Sequence, residues 1–266
     1  MTNVLLIAGS PRARSNTGSI VAYLAERLED LGAAVDVFHV TAHGPSDEEL
    51  ERLLAVARHC EAVVLAAPVY FDGLPAVTHA LLERVHAVFT TRFAAAEAAT
   101  VVDRESALAA SARLRRRVAA LERGARGSGG ACGTDASLVG PAFYGVVHSG
   151  FVEGAQRRPA LWTLELFARS VSWPWQGAVS FGGTSPIGGR PLDEVGRLAM
   201  VVREGLALAA REIVAGRPLS AETLTVCGRS PFAFLPRRVV IRLINARTRS
   251  VVRRQQIDVT ALPYAD

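Results

Sequence analysis

The chain has 266 residues, of which 50% are hydrophobic and 21% charged, a balance that supports a buried core and excludes intrinsic disorder. All 30 basic residues are arginine, so the chain lacks the lysine that phosphate-loop NTPases, pyridoxal enzymes and protein kinases need. The net charge of +5 comes from residues 217–266, with 9 Arg against 3 acids, because residues 1–216 carry 21 Arg against 22 acids. We therefore expect no nucleic-acid partner.

Cys60, Cys132 and Cys227 are far apart in the chain and form no CxxC pair. This spacing predicts reduced thiols instead of a disulfide framework, and neither the cysteines nor the histidines have the spacing of metal ligands. The N-terminus has no basic region before its apolar stretch, and no apolar run is long enough to span a membrane. We expect a soluble cytoplasmic protein without a metal site.

Strand-like apolar runs alternate with helical patterns along most of the chain. The first predicted elements are a strand at 4–8, a helix at 17–31, a strand at 34–40, a helix at 47–58 capped by Ser46, a strand at 62–67 and a helix from 75 to about 88. The alternation breaks at about 89–138, where an Ala/Arg-rich stretch (103–123) and a Gly/Ser-rich stretch predict an inserted helix and a loop. It resumes with a strand at 140–148, a helix at 156–170, a strand at 175–181 and a helix at 192–215.

Strands that are apolar on both faces and are each followed by a helix are typical of a parallel sheet covered on both sides. The sequence therefore predicts an α/β protein with a doubly wound, five-stranded parallel sheet in three layers, α/β/α. We expect one domain over residues 1–216, with the insertion at about 89–138, and a basic C-terminal extension over 217–266.

The loop after the first strand, GSPRARSNT at residues 9–17, concentrates polar and basic groups before a helix. Backbone N–H groups at a helix N-terminus attract anions, and hydroxyl, amide and guanidinium groups add to that attraction. The loop therefore predicts a phosphate site, although a Ser/Thr cap on a solvated turn remains the alternative. The candidate ligands are Ser10, Arg12, Ser15, Asn16 and Thr17, with Arg14 as a second source of charge.

Two further loops follow the third and fourth strands, and the carboxyl ends of such strands are where open α/β sheets bind ligands. Tyr70 and Phe71 offer aromatic faces to a flat ring, and the backbone around them offers amides to its polar edge. Core packing of the two rings is the alternative. In the later loop, Gly150 permits close backbone approach.

These loops resemble the NAD(P)H-dependent FMN reductase family, which has a flavodoxin-like fold. The resemblance rests on GSPRARSNT (9–17), APVYFDGLPAVTHALLERV (67–85), GVVHSGFVEGAQ (145–156) and WQGAVSFGGTSPIGG (175–189), and covers about residues 3–90 and 139–215. It implies an enzyme that binds FMN and NAD(P)H and passes hydride to a flavin, quinone or similar small acceptor, with the flavin carrying the chemistry. It also implies a homodimer.

The resemblance places the FMN phosphate on the first loop and the flavin ring against the two later loops. The implied ring contacts are Pro68, Val69, Tyr70, Phe71, Asp72, Gly73, His148, Ser149, Gly150 and Phe151. His148, or the N–H groups of Ser149 and Gly150, would be the positive partner near flavin N1. His79 stands where many family members have a lysine.

Two other functions remain open: a flavodoxin-like electron carrier, and a non-catalytic module that binds a membrane or partner through the extension. A helix from Arg238 onward would place Ile241, Ile244 and Val251 on one stripe, with Arg242, Arg249 and Arg253 on the other side. The stripe either packs on the domain or on a dimer mate, or lies on anionic lipid as a peripheral membrane contact.

Overall fold

The computed structural model describes residues 1–100, 140–233 and 236–255. The inserted helix predicted at 103–123 lies outside the described residues. In the described part, a five-stranded sheet is flanked by helices on both faces. None of the helices in these ranges is long and apolar enough to cross a membrane.

All neighbouring strands of the sheet are parallel. The strands are β1 (Asn3–Ala8), β2 (Ala34–His39), β3 (Ala62–Pro68), β4 (Ala142–His148) and β5 (Trp175–Phe181). Their order across the sheet is β2-β1-β3-β4-β5, the doubly wound order of flavodoxins. The predicted fold class is therefore confirmed.

The helices follow the strands as the alternation predicts. They are α1 (Asn16–Asp30), α2 (Asp47–Ala57), α3 (Ala76–Thr100), α4 (Arg158–Ser170), α5 (Met200–Val214), α6 (Ala221–Cys227) and α7 (Arg237–Arg254), with 3₁₀ turns at 155–157, 185–187 and 192–199. The capping box of Ser46 and Glu49 starts α2 where the sequence places it.

Two predicted helix boundaries are wrong. The helix expected to end near residue 88 continues to Thr100, because the Ala-rich residues after 88 have high helix propensity and contain neither Gly nor Pro. The single helix expected over 192–215 is broken at Gly196, whose φ of 68° and ψ of −137° are not helical. A 3₁₀ turn therefore precedes α5.

The buried core forms two layers on opposite faces of the sheet. On one face, Leu6 of β1 lies in the cluster of Leu24 from α1 and Leu206 from α5. On the other, its neighbour Leu5 lies in the cluster of Leu81 from α3 and Leu164 from α4. The predicted three-layer arrangement follows from this alternation.

The packed core continues past residue 216. Leu219 and Cys227 are buried in the same cluster as Phe181, and a Cβ on Gly205 would lie 2.5 Å from the Cys227 Sγ. We therefore infer that the basic extension begins after α6. Burial raises the pKa of Cys227 to about 12 and that of Cys60 to about 11, so both free thiols stay protonated at neutral pH.

Candidate functional site

The carboxyl ends of β1, β3, β4 and β5 open into one cleft of about 520 Å³. It lies where β2 and β3 flank β1 on opposite sides, the switch point at which open α/β sheets bind ligands. The cleft is lined by most of the predicted cofactor residues, namely Ser10, Arg12, Ser15, Asn16, Thr17, Pro68, Val69, Tyr70, His148, Ser149, Gly150 and Phe151.

The remaining predicted residues lie beside this cleft. Phe71 and Asp72 line an adjoining cleft of about 960 Å³, which shares Arg12, Tyr70 and Phe151 with the first. Gly73 lines neither cleft, and neither does His79. The first cleft is also lined by residues 184, 185, 188 and 189 of the loop after β5. These residues belong to the motif at 175–189, but none of them was predicted as a ligand.

The first loop presents unpaired donors at the start of α1. The Ser15 Oγ caps the helix by accepting from the Gly18 N–H at 3.0 Å, and the Ser10 Oγ accepts from the Arg12 N–H at 3.4 Å. Both hydroxyls therefore keep their own O–H to donate. Among the described residues, the backbone N–H groups of Asn16 and Thr17 have no hydrogen-bond partner.

Gly9 fixes where this loop leaves the sheet. The buried Thr78 of α3 donates through its hydroxyl to the Gly9 carbonyl at 2.7 Å, and the Gly9 N–H donates to Ala66. A Cβ on Gly9 would lie 3.0 Å from the Thr78 Oγ1 and 3.2 Å from the Ala66 carbonyl oxygen. Only glycine allows this close approach.

His148 connects three of the loops from a buried position. Its Nε2 lies 2.8 Å from the Thr17 Oγ1, and its Nδ1 lies 3.2 Å from the Thr184 Oγ1. The Thr184 hydroxyl donates to the Ser149 carbonyl at 3.0 Å, so it accepts from Nδ1–H, and Nε2 accepts from Thr17.

This tautomer is neutral, and the environment keeps it so. Burial lowers the pKa of His148 to about 4. His148 therefore does not supply the positive partner considered for flavin N1. The Ser149 N–H, the second candidate for that role, donates to the Phe181 carbonyl at 3.0 Å.

The side chain of Asn16 links the start of α1 to the loop after β5. Its Nδ2 donates to the Thr184 carbonyl at 2.9 Å, and its Oδ1 accepts from the Gly189 N–H at 2.9 Å. Gly189 has a φ of 68°, and a Cβ there would lie 2.9 Å from the Arg14 Cγ. The amide predicted as a phosphate ligand thus ties α1 to the loop after β5.

The loop after β3 holds its aromatic residues outside the core. Tyr70 and Gly73 exchange two backbone hydrogen bonds, of 2.9 and 3.1 Å, across Phe71 and Asp72. Both intervening residues have positive φ, 48° and 64°, which is costly for a bulky side chain such as phenylalanine. Phe71 is fully exposed and Tyr70 is 40% exposed, so the alternative of core packing is wrong.

Arg157 shapes the loop after β4 and is not among the residues predicted from the sequence. It is only 4% exposed, and its guanidinium donates to the Ser180 Oγ at 2.7 Å, the Ser149 Oγ at 3.1 Å and the Glu153 carbonyl at 3.0 Å. Burial lowers its pKa, and no carboxylate of the described chain forms an ion pair with it. Next to this loop, Gly150 makes room for Ser185, whose Oγ would lie 2.6 Å from an added Cβ.

The described residues include no group of three or more His, Cys, Asp or Glu side chains that could hold a metal ion.

The order of the strands and the cleft at their carboxyl ends define a flavodoxin-like protein. Residues 2–129 match the model of the family described as NADPH-dependent FMN reductase. The predicted resemblance to this family is therefore confirmed over residues 2–129, and the matched family is one of oxidoreductases.

Several solved structures are similar to this chain. A flavone reductase is 14% identical, with a TM-score of 0.49, and the match covers 81% of this chain but only 65% of that protein. A putative quinone reductase from Klebsiella pneumoniae is 14% identical, with a TM-score of 0.46 and coverage of 82% and 87%. A WrbA-like flavodoxin from Agrobacterium tumefaciens is 14% identical, with a TM-score of 0.42 and coverage of 77% and 99%. No curated protein matches the sequence.

Proposed function

We propose that the chain is an NAD(P)H-dependent flavin oxidoreductase that holds FMN in the cleft and reduces a flavin, quinone or similar small acceptor. The observation that carries this proposal is the first loop, where two unpaired backbone N–H groups and two free hydroxyl protons surround a helix N-terminus. Arg12 and Arg14 line the same cleft, and no Asp or Glu is among its described lining residues.

The cleft fits FMN in charge and size. A phosphate dianion would accept hydrogen bonds from the backbone N–H groups of Asn16 and Thr17 and from the hydroxyls of Ser10 and Ser15. Arg12 would add a charge-assisted contact. The volume of about 520 Å³ is within the range of small-molecule sites. The flavin ring would lie between Val69, Tyr70 and the loop that begins at His148.

Bound FMN would accept hydride from NAD(P)H, and the protein would supply orientation and electrostatics. The ring of Tyr70 and the backbone of Gly150 and Phe151 would orient the flavin. Asn16, Thr17 and His148 would hold the loops in place. We assign no side chain an acid or base role.

A comparison of FMN with riboflavin tests the phosphate assignment. Riboflavin lacks the phosphate, and each charge-assisted hydrogen bond contributes roughly 1.5–3 kcal/mol, so the loss of several weakens binding by a factor on the order of 100 or more. We expect this difference in a titration followed by flavin fluorescence. Arg12→Gln should weaken FMN binding and leave riboflavin binding unchanged, whereas Arg52→Gln on the exposed face of α2 should change neither. Equal affinities for the two flavins would contradict the assignment.

Anaerobic reduction separates the reductase from an electron carrier. We expect NADH or NADPH to bleach the absorbance of the flavin-loaded protein and an added quinone or flavin to restore it. A flavin that stays oxidised under NADH and NADPH would favour the carrier. The near-neutral composition of residues 1–216, with 21 Arg against 22 acids, argues against the acidic docking face that a carrier would need.

We further propose a cytoplasmic homodimer, which the family resemblance implies. Sedimentation equilibrium tests the oligomeric state, and a monomer at micromolar concentration would contradict it.

A further inference from the structure

The C-terminal helix α7 is strongly basic. Its 18 residues include Arg237, Arg238, Arg242, Arg247, Arg249, Arg253 and Arg254, and none of them is acidic. It begins after Pro236, as the sequence predicts to within one residue. Such a concentration of one charge attracts anionic partners.

Several apolar residues of α7 fall on one side of the helix. At 100° per residue, Val240, Ile241, Val251 and Val252 lie within an arc of about 120°, with Arg242, Arg249 and Arg253 on the other side. Arg237, in the first turn, falls on the apolar side. Ile241 is 46% exposed and Val251 43% exposed, so the domain does not bury them. The side chain of Ile244, which the sequence places on this stripe, lies outside the described part of the chain.

The start of the extension lies beside the candidate cofactor cleft. A Cβ on Gly183 would lie 2.9 Å from the Phe232 ring, 3.0 Å from Pro231 and 3.1 Å from Val152, so these three side chains are neighbours. Val152 is 47% exposed, and Phe151, which lines the cleft, is 68% exposed. The chain therefore leaves the domain next to exposed apolar residues at the cleft mouth.

We propose that α7 docks on an anionic lipid surface. Exposed Ile241 and Val251 on one side, with Arg242, Arg249 and Arg253 on the other and further arginines beside them, fit a helix that lies in the plane of a membrane interface, with its charges at the headgroups. The arginine stems cover apolar surface while their guanidinium groups reach phosphate. This inference does not rest on the proposed function, because it concerns only α7 and the exposed residues beside it.

Two other occupants agree less well with these observations. A second copy of the chain, paired symmetrically through α7, would bring two arginine-rich helices together. A nucleic acid would use the arginines but would have no use for the exposed Ile241 and Val251.

Co-sedimentation of the full chain with vesicles tests the proposal. At low salt we expect the protein to pellet with vesicles of phosphatidylcholine and phosphatidylglycerol, not with phosphatidylcholine alone, and the pelleted fraction to fall as salt rises. The double variant Arg242→Gln/Arg249→Gln should lower the partition coefficient roughly 25-fold, since each basic residue near the surface accounts for about fivefold. The double variant Ile241→Ser/Val251→Ser should lower it roughly tenfold.

Matched control variants lie outside α7. Arg52→Gln/Arg197→Gln removes the same charge from exposed positions, and Leu166→Ser/Leu224→Ser removes exposed apolar side chains. Neither control should change vesicle binding by more than about twofold, because their positions do not face the lipid. Circular dichroism and thermal melting of every variant show that the fold is intact.

The proposal is wrong if the full chain fails to pellet with anionic vesicles at low salt. It is also overturned if the arginine variant loses binding while the serine variant binds like the parent, which would identify a general polyanion site such as one for nucleic acid. Vesicle binding is expected both with and without bound flavin, because no residue of α7 that the structure describes lines the two clefts.

Discussion

The buried imidazole of His148 predicts that acid destabilises this protein in a defined pH window. Its nitrogens contact the hydroxyls of Thr17 and Thr184, and burial lowers its pKa to about 4. In the unfolded chain the pKa of a histidine is about 6.5, so between pH 6.5 and 4 the unfolded state binds more protons than the folded state. The free energy of unfolding therefore falls as pH drops through this window. Above pH 6.5, the titration of His148 no longer changes it.

The size of the effect follows from proton linkage. A difference of one pKa unit corresponds to about 1.36 kcal/mol, so between pH 7 and pH 5 the loss from this residue is about 2 kcal/mol. A domain is stable by roughly 5–15 kcal/mol in total, and the loss lowers the melting temperature by about 4–8 °C in a chain of this size.

Urea unfolding at pH 7 and pH 5 measures the effect, with flavin removed by dialysis so that ligand binding does not contribute. His148→Gln can still form hydrogen bonds but does not titrate. We expect it to be less stable at pH 7 by about 1–3 kcal/mol but to lose about 2 kcal/mol less than the parent on acidification. Carboxylates titrate in both proteins and cancel in the comparison. His79→Gln, on α3 and outside the hydrogen bonds of His148, should lose as much stability as the parent between pH 7 and pH 5.

Parallel stability losses in the parent and His148→Gln between pH 7 and pH 5 would refute the neutral, buried imidazole. They would mean that His148 is as easily protonated in the folded state as in the unfolded state. The assignment of its tautomer from the Thr184 hydrogen bond would then fail as well.

Three further substitutions test individual contacts. Gly9→Ala should lower the free energy of unfolding in a urea titration by about 1–3 kcal/mol, because the new methyl group would lie 3.0 Å from the Thr78 Oγ1. Gly18→Ala, whose new methyl group would lie 3.5 Å from its nearest atom, should be neutral or stabilising in the same assay. Tyr70→Ala should weaken flavin binding in a fluorescence titration without lowering the melting temperature, since the ring is 40% exposed; a lower melting temperature with unchanged affinity would place the ring in the packing. Arg157→Met should lower the free energy of unfolding by roughly 2–5 kcal/mol because Ser149 and Ser180 lose a charged donor. Arg158→Met, at the exposed neighbouring position, should stay within about 0.5 kcal/mol of the parent. Equal stabilities of the two variants would show that the buried guanidinium does not stabilise the loop.

The sequence predicted the sheet well because buried parallel strands are apolar on both faces. The strand at 175–181 has the same bounds in sequence and structure. Helix ends were predicted less well. The break expected near residue 89 came from a change in composition, but alanine-rich sequence has no stop signal and the helix continues. The break at Gly196 had a sequence signal, a glycine inside a helical pattern, that was not used.

The loops of the candidate site were predicted from local motifs, but the contacts between them were not. Thr184 meets His148 across 36 residues of sequence, Thr78 meets Gly9 across 69, and Asn16 meets Thr184 across 168. A motif describes the spacing within one loop, so it carries no information on which side chain of another loop will lie beside it. The same limit explains why Arg157 was missed, since its partners Ser149 and Ser180 belong to two different strand ends.

The contacts divide the polar residues of the first loop into two groups with different roles. The side chain of Asn16 is hydrogen-bonded to Thr184 and Gly189, and that of Thr17 to His148, so these two residues hold the cleft in shape. Ser10, Ser15 and Arg12 keep donors directed at no described residue, so they are available to an anion. Because the first group is already bonded, a ligand need not order the loops when it binds, and less of its binding energy is lost. Changes in the first group should therefore lower stability and flavin affinity together, whereas changes at Arg12 or Ser10 should lower affinity alone.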